Sequence, residues 1–168
     1  MKSLVIYFSR ADENYFGGAM RTIEKGNTEV IAEFIQELTG ADLFKVERKT
    51  DYSKDYMICI KEAQEEQRKG EKPELKKYLD NIDDYDLIYV GGPIYWGTLP
   101  QPMFTQLERL SWAGKTVKPF STHEGSRLGN VVNDLKKICV GATVKAGLAI
   151  VGSRVHEAKP TLERWVNE

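Results

Sequence analysis

The sequence of 168 residues has little cysteine, no long apolar run and no excess of one charge sign. Its two cysteines, Cys59 and Cys139, stand in neither a CxxC nor a metal-ligand spacing, which is typical of a protein in the reducing cytoplasm. No apolar stretch approaches the roughly 20 residues that a membrane-spanning helix requires. We therefore expect a cytoplasmic protein with no metal site and no membrane segment.

The charges are balanced and mixed along the chain. The formal net charge is -1, from 24 Lys and Arg against 25 Asp and Glu. A nucleic-acid partner requires a one-sided basic surface, and none is indicated here, so we expect no nucleic-acid partner. The GxSxG, GxxxxGK[ST] and GxGxxG motifs are also missing from the sequence, which argues against hydrolases with a nucleophile elbow, P-loop proteins and dinucleotide-binding folds.

What is present is an alternation of short apolar runs with amphipathic segments. The runs predict strands, and the segments with helical spacing predict helices. Strands are predicted at residues 4–8, 41–46, 87–90, 117–121 and 143–151. Helices are predicted at 27–39, about 53–69, about 102–110, 128–138 and around 162–166. This order is typical of an α/β protein with a parallel sheet between two helix layers. Five strands favour a doubly wound, three-layer α/β/α fold of strand order 2-1-3-4-5, with residues 1–168 as one domain.

Ligands of such sheets bind beyond the carboxyl ends of the strands, so the loops there are the candidate site. The first loop ends in Gly26-Asn27-Thr28, directly before a predicted helix. A helix start offers unpaired N–H groups and a positive dipole end, which can bind a phosphate, and Ser9 can add a hydroxyl. Alternatively, Asn27 or Thr28 only caps the helix.

The second loop, residues 91–100, has glycines near both ends and two large rings, Tyr95 and Trp96. These rings either face a flat ligand or pack into the core. The third loop, residues 121–126, offers hydroxyls, backbone N–H groups and the imidazole of His123. By itself the third loop is an ordinary entry to a helix.

Taken together, these three loops resemble those of the flavodoxin-like FMN proteins, over essentially the whole chain. The resemblance implies a flavodoxin-like fold, FMN as cofactor and an electron-transfer function without a catalytic side chain. It implies that the first loop binds the FMN phosphate, the second lines the isoalloxazine and the third binds its pyrimidine edge. The cofactor-binding residues expected on this basis are Ser9, Arg10, Gly26, Asn27, Thr28, Pro93, Ile94, Tyr95, Trp96, Gly97, Thr122, His123, Glu124, Gly125 and Ser126.

The sequence departs from the family pattern in two places. Residues 11–24 are inserted into the first motif, and Lys25 stands where a hydroxyl is usual. The insertion either folds over the phosphate and brings Arg10 or Arg21 near it, or forms a solvated surface loop, which we favour for Arg21. The third loop has no aromatic residue, so one face of the flavin ring is expected to be open.

Two functions follow from the resemblance. The first is an electron carrier that docks with redox protein partners. The second is an FMN-dependent NAD(P)H:quinone or small-molecule reductase, which the missing aromatic favours. His123, if protonated, could stabilise the reduced flavin ring, or it could donate a proton to a bound quinone. Its simpler role is a hydrogen bond within the loop. A signalling receiver of the same strand order needs acidic residues where Ser9-Arg10 and Gly91-Gly92 stand. A binding module that has lost FMN is the remaining alternative.

Overall fold

The computed structural model describes residues 2–168, and a central parallel sheet organises them. Within these residues no helix combines the length and the apolar character that crossing a membrane requires. The elements in chain order are β1 (Ser3–Tyr7), β2 (Asp12–Phe16), β3 (Ala19–Ile23), α1 (Asn27–Thr39), β4 (Asp42–Lys45), α2 (Tyr56–Arg68), β5 (Leu87–Pro93), α3 (Gln101–Leu107), β6 (Thr116–His123), α4 (Val131–Ile138), β7 (Thr143–Val144), β8 (Leu148–Val151), a 3₁₀ helix (Gly152–Glu157) and α5 (Lys159–Val166).

The sheet has the order β4-β1-β5-β6-β7, and β8 also pairs with β6 on the same edge as β7. All of its pairings are parallel. Counting β7 and β8 as one interrupted edge strand, this is the order 2-1-3-4-5, so the predicted flavodoxin-like three-layer fold is confirmed. The switch point lies between β1 and β5, where β4 lies to one side and β6 to the other.

Apolar side chains fill both faces of the sheet. On one face, α1 and α5 pack their buried residues, among them Ile31, Ile35 and Leu162, against Tyr89 and Phe120 of the strands. On the other face, the helices α2, α3 and α4 contribute buried residues that include Cys59, Met103, Leu107 and Leu135. Strands that are covered on both faces read as continuous apolar runs, which explains why residues 4–8 and 87–90 stand out in the sequence.

Three predicted strands differ from the structure by at least two residues at an end or by an interruption. The strand predicted at 117–121 runs from Thr116 to His123. The third strand of the order does not end at residue 90 but runs on to Pro93, because Gly91 and Gly92 pair with Phe120 and Ser121 of β6. A Cβ on Gly91 would lie 2.4 Å from two ring carbons of Phe120, so this glycine allows close packing within the sheet and does not end the strand.

The predicted strand 143–151 is interrupted. Val144 pairs with Val117 and Leu148 pairs with Phe120, so residues 145–147 stand opposite only Lys118 and Pro119. The edge strand therefore has an extra residue at this point, as in a bulge. The predicted helices at 102–110 and 128–138 are also shorter, because α3 ends at Leu107 and α4 begins at Val131.

The insertion 11–24 forms a β-hairpin. Strands β2 and β3 pair antiparallel around Gly17 and Gly18, whose φ angles are +65° and +88°. Positive φ at both central residues is what a two-residue turn of type I′ requires, and glycine adopts it without strain. The hairpin therefore makes the first loop an ordered structure of its own.

Candidate functional site

A cavity of about 440 Å³ opens at the carboxyl ends of β1, β5 and β6. This volume lies within the range of small-molecule and cofactor sites. The three loops, α2, the hairpin and the start of the 3₁₀ helix surround the cavity. The lining residues are Arg10, Asn14, Tyr15, Asn27, Thr28, Tyr56, Cys59, Ile60, Ala63, Pro93, Ile94, Tyr95, Trp96, Gly97, Thr122, His123, Glu124, Ser126 and Gly152.

At one end of the cavity lies the amino terminus of α1. Its cap residue, Gly26, has no side chain to satisfy the first-turn donors, and only the N–H of Glu29 is taken up, by Ser9 Oγ at 3.0 Å. Across residues 2–168 the N–H groups of Asn27 and Thr28 have no hydrogen-bond acceptor. Unpaired donors at the positive end of a helix of 13 residues form a site that suits an anion such as a phosphate.

Arg10 brings positive charge to the cavity. Its guanidinium donates hydrogen bonds to the backbone carbonyls of Glu13, Ser53 and Lys54, and within the described part of the chain it pairs with no carboxylate. Lys25 does not contribute there, because its Nζ lies 2.7 Å from a carboxylate oxygen of Glu33 on the exposed side of α1. The charge of Arg10 therefore remains available to an anion in the cavity.

The second loop turns sharply at the other end of the cavity. Trp96 and Gly97 have φ angles of +54° and +88°, and the N–H of Tyr95 donates to the carbonyl of Thr98 at 2.8 Å. Positive φ is uncommon for tryptophan, and an indole hydrogen bond holds the side chain, since Trp96 Nε1 donates to the carbonyl of Ile60 on α2 at 2.8 Å. Trp96 is nevertheless 47% exposed, so much of its ring is free to contact a ligand.

Tyr95 behaves differently from Trp96. Its ring packs edge-to-face against Phe8 and Tyr52, with centroid distances of 5.9 and 6.0 Å, while it also lines the cavity. Burial raises the pKa of its hydroxyl well above the ordinary value, so the phenol stays neutral. The two interpretations of this residue, core packing and cavity lining, therefore both apply.

The third loop is joined to the first. Thr122 Oγ1 lies 2.7 Å from Thr28 Oγ1, a buried hydrogen bond between the end of β6 and the start of α1. His123 Nδ1 accepts a hydrogen bond from the N–H of Gly125 at 2.9 Å, and burial lowers the pKa of His123. A proton on Nδ1 would remove this bond, so both the contact and burial favour the neutral imidazole. The simpler role of His123, a hydrogen bond within the loop, is observed.

Helix α2 supplies a wall that the sequence did not reveal as part of the site. Tyr56, Cys59, Ile60 and Ala63 follow one another at intervals of three, one and three residues, so they share a helix face, and all line the cavity. Asn14, Tyr15 and Gly152 were also not anticipated. The helical spacing at 56–63 was visible in the sequence, but nothing there tells which face of α2 meets the ligand and which meets the core.

Most of the residues expected from the resemblance meet in this one cavity. Three do not line it. Ser9 borders a second, smaller cavity of about 190 Å³, whereas Gly26 is buried and Gly125 is exposed to solvent. Gly26 still has a steric role, because a Cβ there would lie 2.1 Å from Ser9 Oγ and 2.8 Å from the backbone N and O of Arg10.

The sequence was compared with known protein families and known proteins. The profile of the family described as Flavodoxin matches residues 19–168. The chain belongs to the flavodoxin family. None of the curated proteins compared with the chain matches it. The matched range starts inside the hairpin, so β1 and the first strand of the hairpin lie outside it.

Solved structures of flavoproteins resemble this one along nearly its whole length. A flavoprotein from Bacteroides uniformis is 24% identical, with 99% of this chain and 98% of that chain covered and a TM-score of 0.76. A second, from Bacteroides eggerthii, is 27% identical, with 95% and 96% covered and a TM-score of 0.70. A flavoprotein from Lactobacillus acidophilus, solved in complex with FMN, is 23% identical, with 93% and 97% covered and a TM-score of 0.62.

The family assignment supports FMN as the cofactor of this flavodoxin-family protein. The cavity fits the group on its own evidence. Its lining has the unpaired N–H groups at the start of α1, the cationic Arg10 with no carboxylate partner among residues 2–168, and an exposed indole beside a positive-φ glycine. An anionic tail and a flat ring are the two parts of FMN that such groups can bind.

Proposed function

We propose that this chain binds FMN in the cavity and transfers electrons through it to and from redox partners. One observation carries the proposal. A single cavity joins the unpaired N–H groups of Asn27 and Thr28 to the exposed ring of Trp96. A ligand that fills it needs an anionic end and a flat aromatic end, and FMN has both.

The protein's own residues have distinct tasks in this proposal. Those of the first loop bind the phosphate, where the helix dipole and Arg10 provide positive potential. Those of the second loop contact the isoalloxazine, and those of the third loop bind its pyrimidine edge. The residues are Ser9, Arg10, Gly26, Asn27 and Thr28 for the first loop, Pro93, Ile94, Tyr95, Trp96 and Gly97 for the second, and Thr122, His123, Glu124, Gly125 and Ser126 for the third. FMN, when bound, supplies the redox chemistry, so no side chain is needed as a nucleophile.

Reconstitution with FMN tests this proposal. Apoprotein is titrated with FMN while the flavin absorbance and fluorescence are followed, for the wild type and for Thr28→Val, Thr122→Val and Thr143→Val. Thr28→Val and Thr122→Val remove the two hydroxyls of the 2.7 Å contact beside the cavity, and we expect each to weaken FMN binding severalfold. Thr143 lies on β7, beside the first residue of β6 at the opposite end of the sheet, so its valine variant is the matched control. Wild-type protein that stays colourless and binds no FMN at micromolar concentrations would overturn the proposal.

The second candidate function is an FMN-dependent NAD(P)H:quinone or small-molecule reductase. The observation that favours it is the third loop, which places no Phe, Tyr or Trp ring beside the cavity and so leaves room for a small acceptor. Purified FMN-loaded protein is mixed with NADH or NADPH, with and without a soluble quinone. Rapid nicotinamide oxidation that depends on the quinone supports the reductase, whereas its absence, together with electron exchange with a protein donor, supports the carrier.

A further inference from the structure

The β2–β3 hairpin lines part of the cavity and is fastened on both sides. On one side, a Glu13 carboxylate oxygen accepts the N–H of Tyr56 at the start of α2, at 2.9 Å. On the other, Glu124 Oε1 accepts the N–H of Gly17 at the hairpin tip at 3.3 Å and that of Ser153 at 3.0 Å. The hairpin therefore spans the cavity from α2 to the third loop.

The base of the hairpin is held as well. Arg10 Nη2 donates to the carbonyls of Ser53 and Lys54 at 2.8 and 2.9 Å, which ties the first loop to the segment before α2. Asn14 Nδ2 donates back to the carbonyls of Arg10 and Ala11 at 3.1 and 3.0 Å. With both ends and the base fixed, the middle of β2 is the part of the hairpin that faces the cavity, through Asn14 and Tyr15.

Tyr15 lies at the aromatic end of the cavity. Its ring contacts the ring of Tyr56 at a centroid distance of 5.6 Å. One helical turn after Tyr56 comes Ile60, whose carbonyl accepts the Trp96 indole N–H. Tyr15, Tyr56 and Trp96 thus follow one another along the α2 wall, and Tyr15 and Trp96 are 46% and 47% exposed. Two rings with free surface at one end of a cavity suit a flat ligand between or beside them.

We propose that Tyr15 covers the face of the flavin ring that the third loop leaves open, and that the β2–β3 hairpin retains the cofactor in the cavity. This inference rests on the proposed binding of FMN. The third loop, residues 121–126, contains no Phe, Tyr or Trp, and Tyr15 is the exposed ring that the inserted hairpin brings to the same cavity. A ring covered in this way is less accessible to a small acceptor, so the inference also favours the carrier over the reductase.

The test compares FMN binding by the wild type with that by Tyr15→Ala, Tyr15→Phe, Tyr15→Leu and Met20→Ala. Met20 stands opposite Tyr15 in the hairpin, is 41% exposed and does not line the cavity, so its variant controls for a loosened hairpin. We expect Tyr15→Ala and Tyr15→Leu to bind FMN about tenfold more weakly, to release it faster and to quench its fluorescence less. Leucine keeps a large apolar strand residue without the ring, which separates the loss of the ring from a loss of the hairpin. Tyr15→Phe and Met20→Ala should stay within about twofold of the wild type, because aromatic pairs in proteins contribute through the ring.

The outcomes separate this inference from the proposed function. If wild-type protein binds FMN and Tyr15→Ala binds it with equal affinity and equal quenching, the inference is wrong while FMN binding stands. If Tyr15→Ala keeps its FMN affinity but raises the KM for a quinone, Tyr15 belongs to an acceptor site and the inference is again wrong. If the wild type itself binds no FMN, both fail.

Discussion

Gly26→Ala should destabilise the first loop, because an added Cβ has no room there. The φ of Gly26 is -62°, which any residue can adopt, so the effect of an added methyl group is steric. The new Cβ would lie 2.1 Å from Ser9 Oγ and 2.8 Å from the backbone N and O of Arg10. The serine side chain can rotate away, but the backbone of Arg10 cannot move without shifting the base of the hairpin.

The expected magnitude follows from these contacts. Rotating Ser9 removes its hydrogen bond to the N–H of Glu29, which contributes about 1 kcal/mol. Overpacking against the backbone costs about 1–3 kcal/mol more. The free energy of unfolding should therefore fall by about 2–4 kcal/mol, within the 5–15 kcal/mol that domains typically have, so the variant still folds. The same shift displaces the N–H groups of Asn27 and Thr28, and we expect FMN affinity to fall by at least about tenfold, as for a lost charge-assisted hydrogen bond.

The assay is urea unfolding of the apoproteins together with FMN titration, for the wild type, Gly26→Ala, Ser9→Ala and the double variant. Because Ser9→Ala removes the atom at 2.1 Å but leaves the backbone contacts, the double variant should lose less stability than the two single losses added together. Gly70→Ala is the control. Nothing lies within 4 Å of a Cβ at Gly70, so that variant should show only the modest cost of its φ of +65° and normal FMN affinity. Gly26→Ala protein with wild-type stability and wild-type FMN affinity would refute the steric reasoning.

Three further predictions concern single side chains. Because burial lowers the pKa of His123, the unfolded chain binds a proton at this residue more readily than the folded chain does. The free energy of unfolding in urea should therefore fall as the pH drops below about 6.5, and His123→Gln should make that fall smaller. A His123→Gln protein with the same pH dependence of stability as the wild type would contradict this. Lys118 Nζ donates a hydrogen bond of 2.9 Å to the carbonyl of Trp165, and neither residue lines the cavity. Lys118→Met should therefore lose about 1–2 kcal/mol of stability in urea unfolding and keep its FMN affinity. Weaker FMN binding by this variant would contradict the prediction. Glu124→Ala should release FMN severalfold faster in stopped-flow fluorescence. Glu124→Gln should be nearer the wild type, because its amide oxygen can still accept the N–H of Gly17. Equal release rates for all three proteins would exclude a role of Glu124 in holding the hairpin tip.

The strand order was predictable because it follows from one-dimensional features. Strands buried on both faces have continuous apolar runs, helices have 3.6-residue spacing, and their alternation leaves few right-handed arrangements. Helix α1 was predicted with its observed bounds, residues 27–39, since Gly26 precedes it and Gly40 ends it in a left-handed conformation with φ of +76°. These features depend on neighbouring residues in the sequence, so they can be recognised without knowledge of the tertiary contacts.

The errors arose where a residue's role depends on a distant neighbour. Gly91 suggested the end of a strand, but its lack of a side chain serves the ring of Phe120 on the adjacent strand. Similarly, the spacing of Tyr56, Ile60 and Ala63 indicates a helix face without telling that this face lines a cavity. The hairpin did leave a weak signal, since Gly17-Gly18 is a dipeptide typical of two-residue hairpin turns, with Tyr15 and Phe16 before it and Thr22 and Ile23 after it.

The two departures from the family pattern are connected in the folded protein. In sequence, the insertion in the first loop and the missing aromatic of the third loop are more than 90 residues apart and independent. In the structure, the insertion carries Tyr15 to the cavity, and its tip is held by Glu124 of the third loop itself. If Tyr15 covers the flavin as proposed, the hairpin supplies the large ring that the third loop lacks, and the contact between Glu124 and the hairpin tip links the two departures.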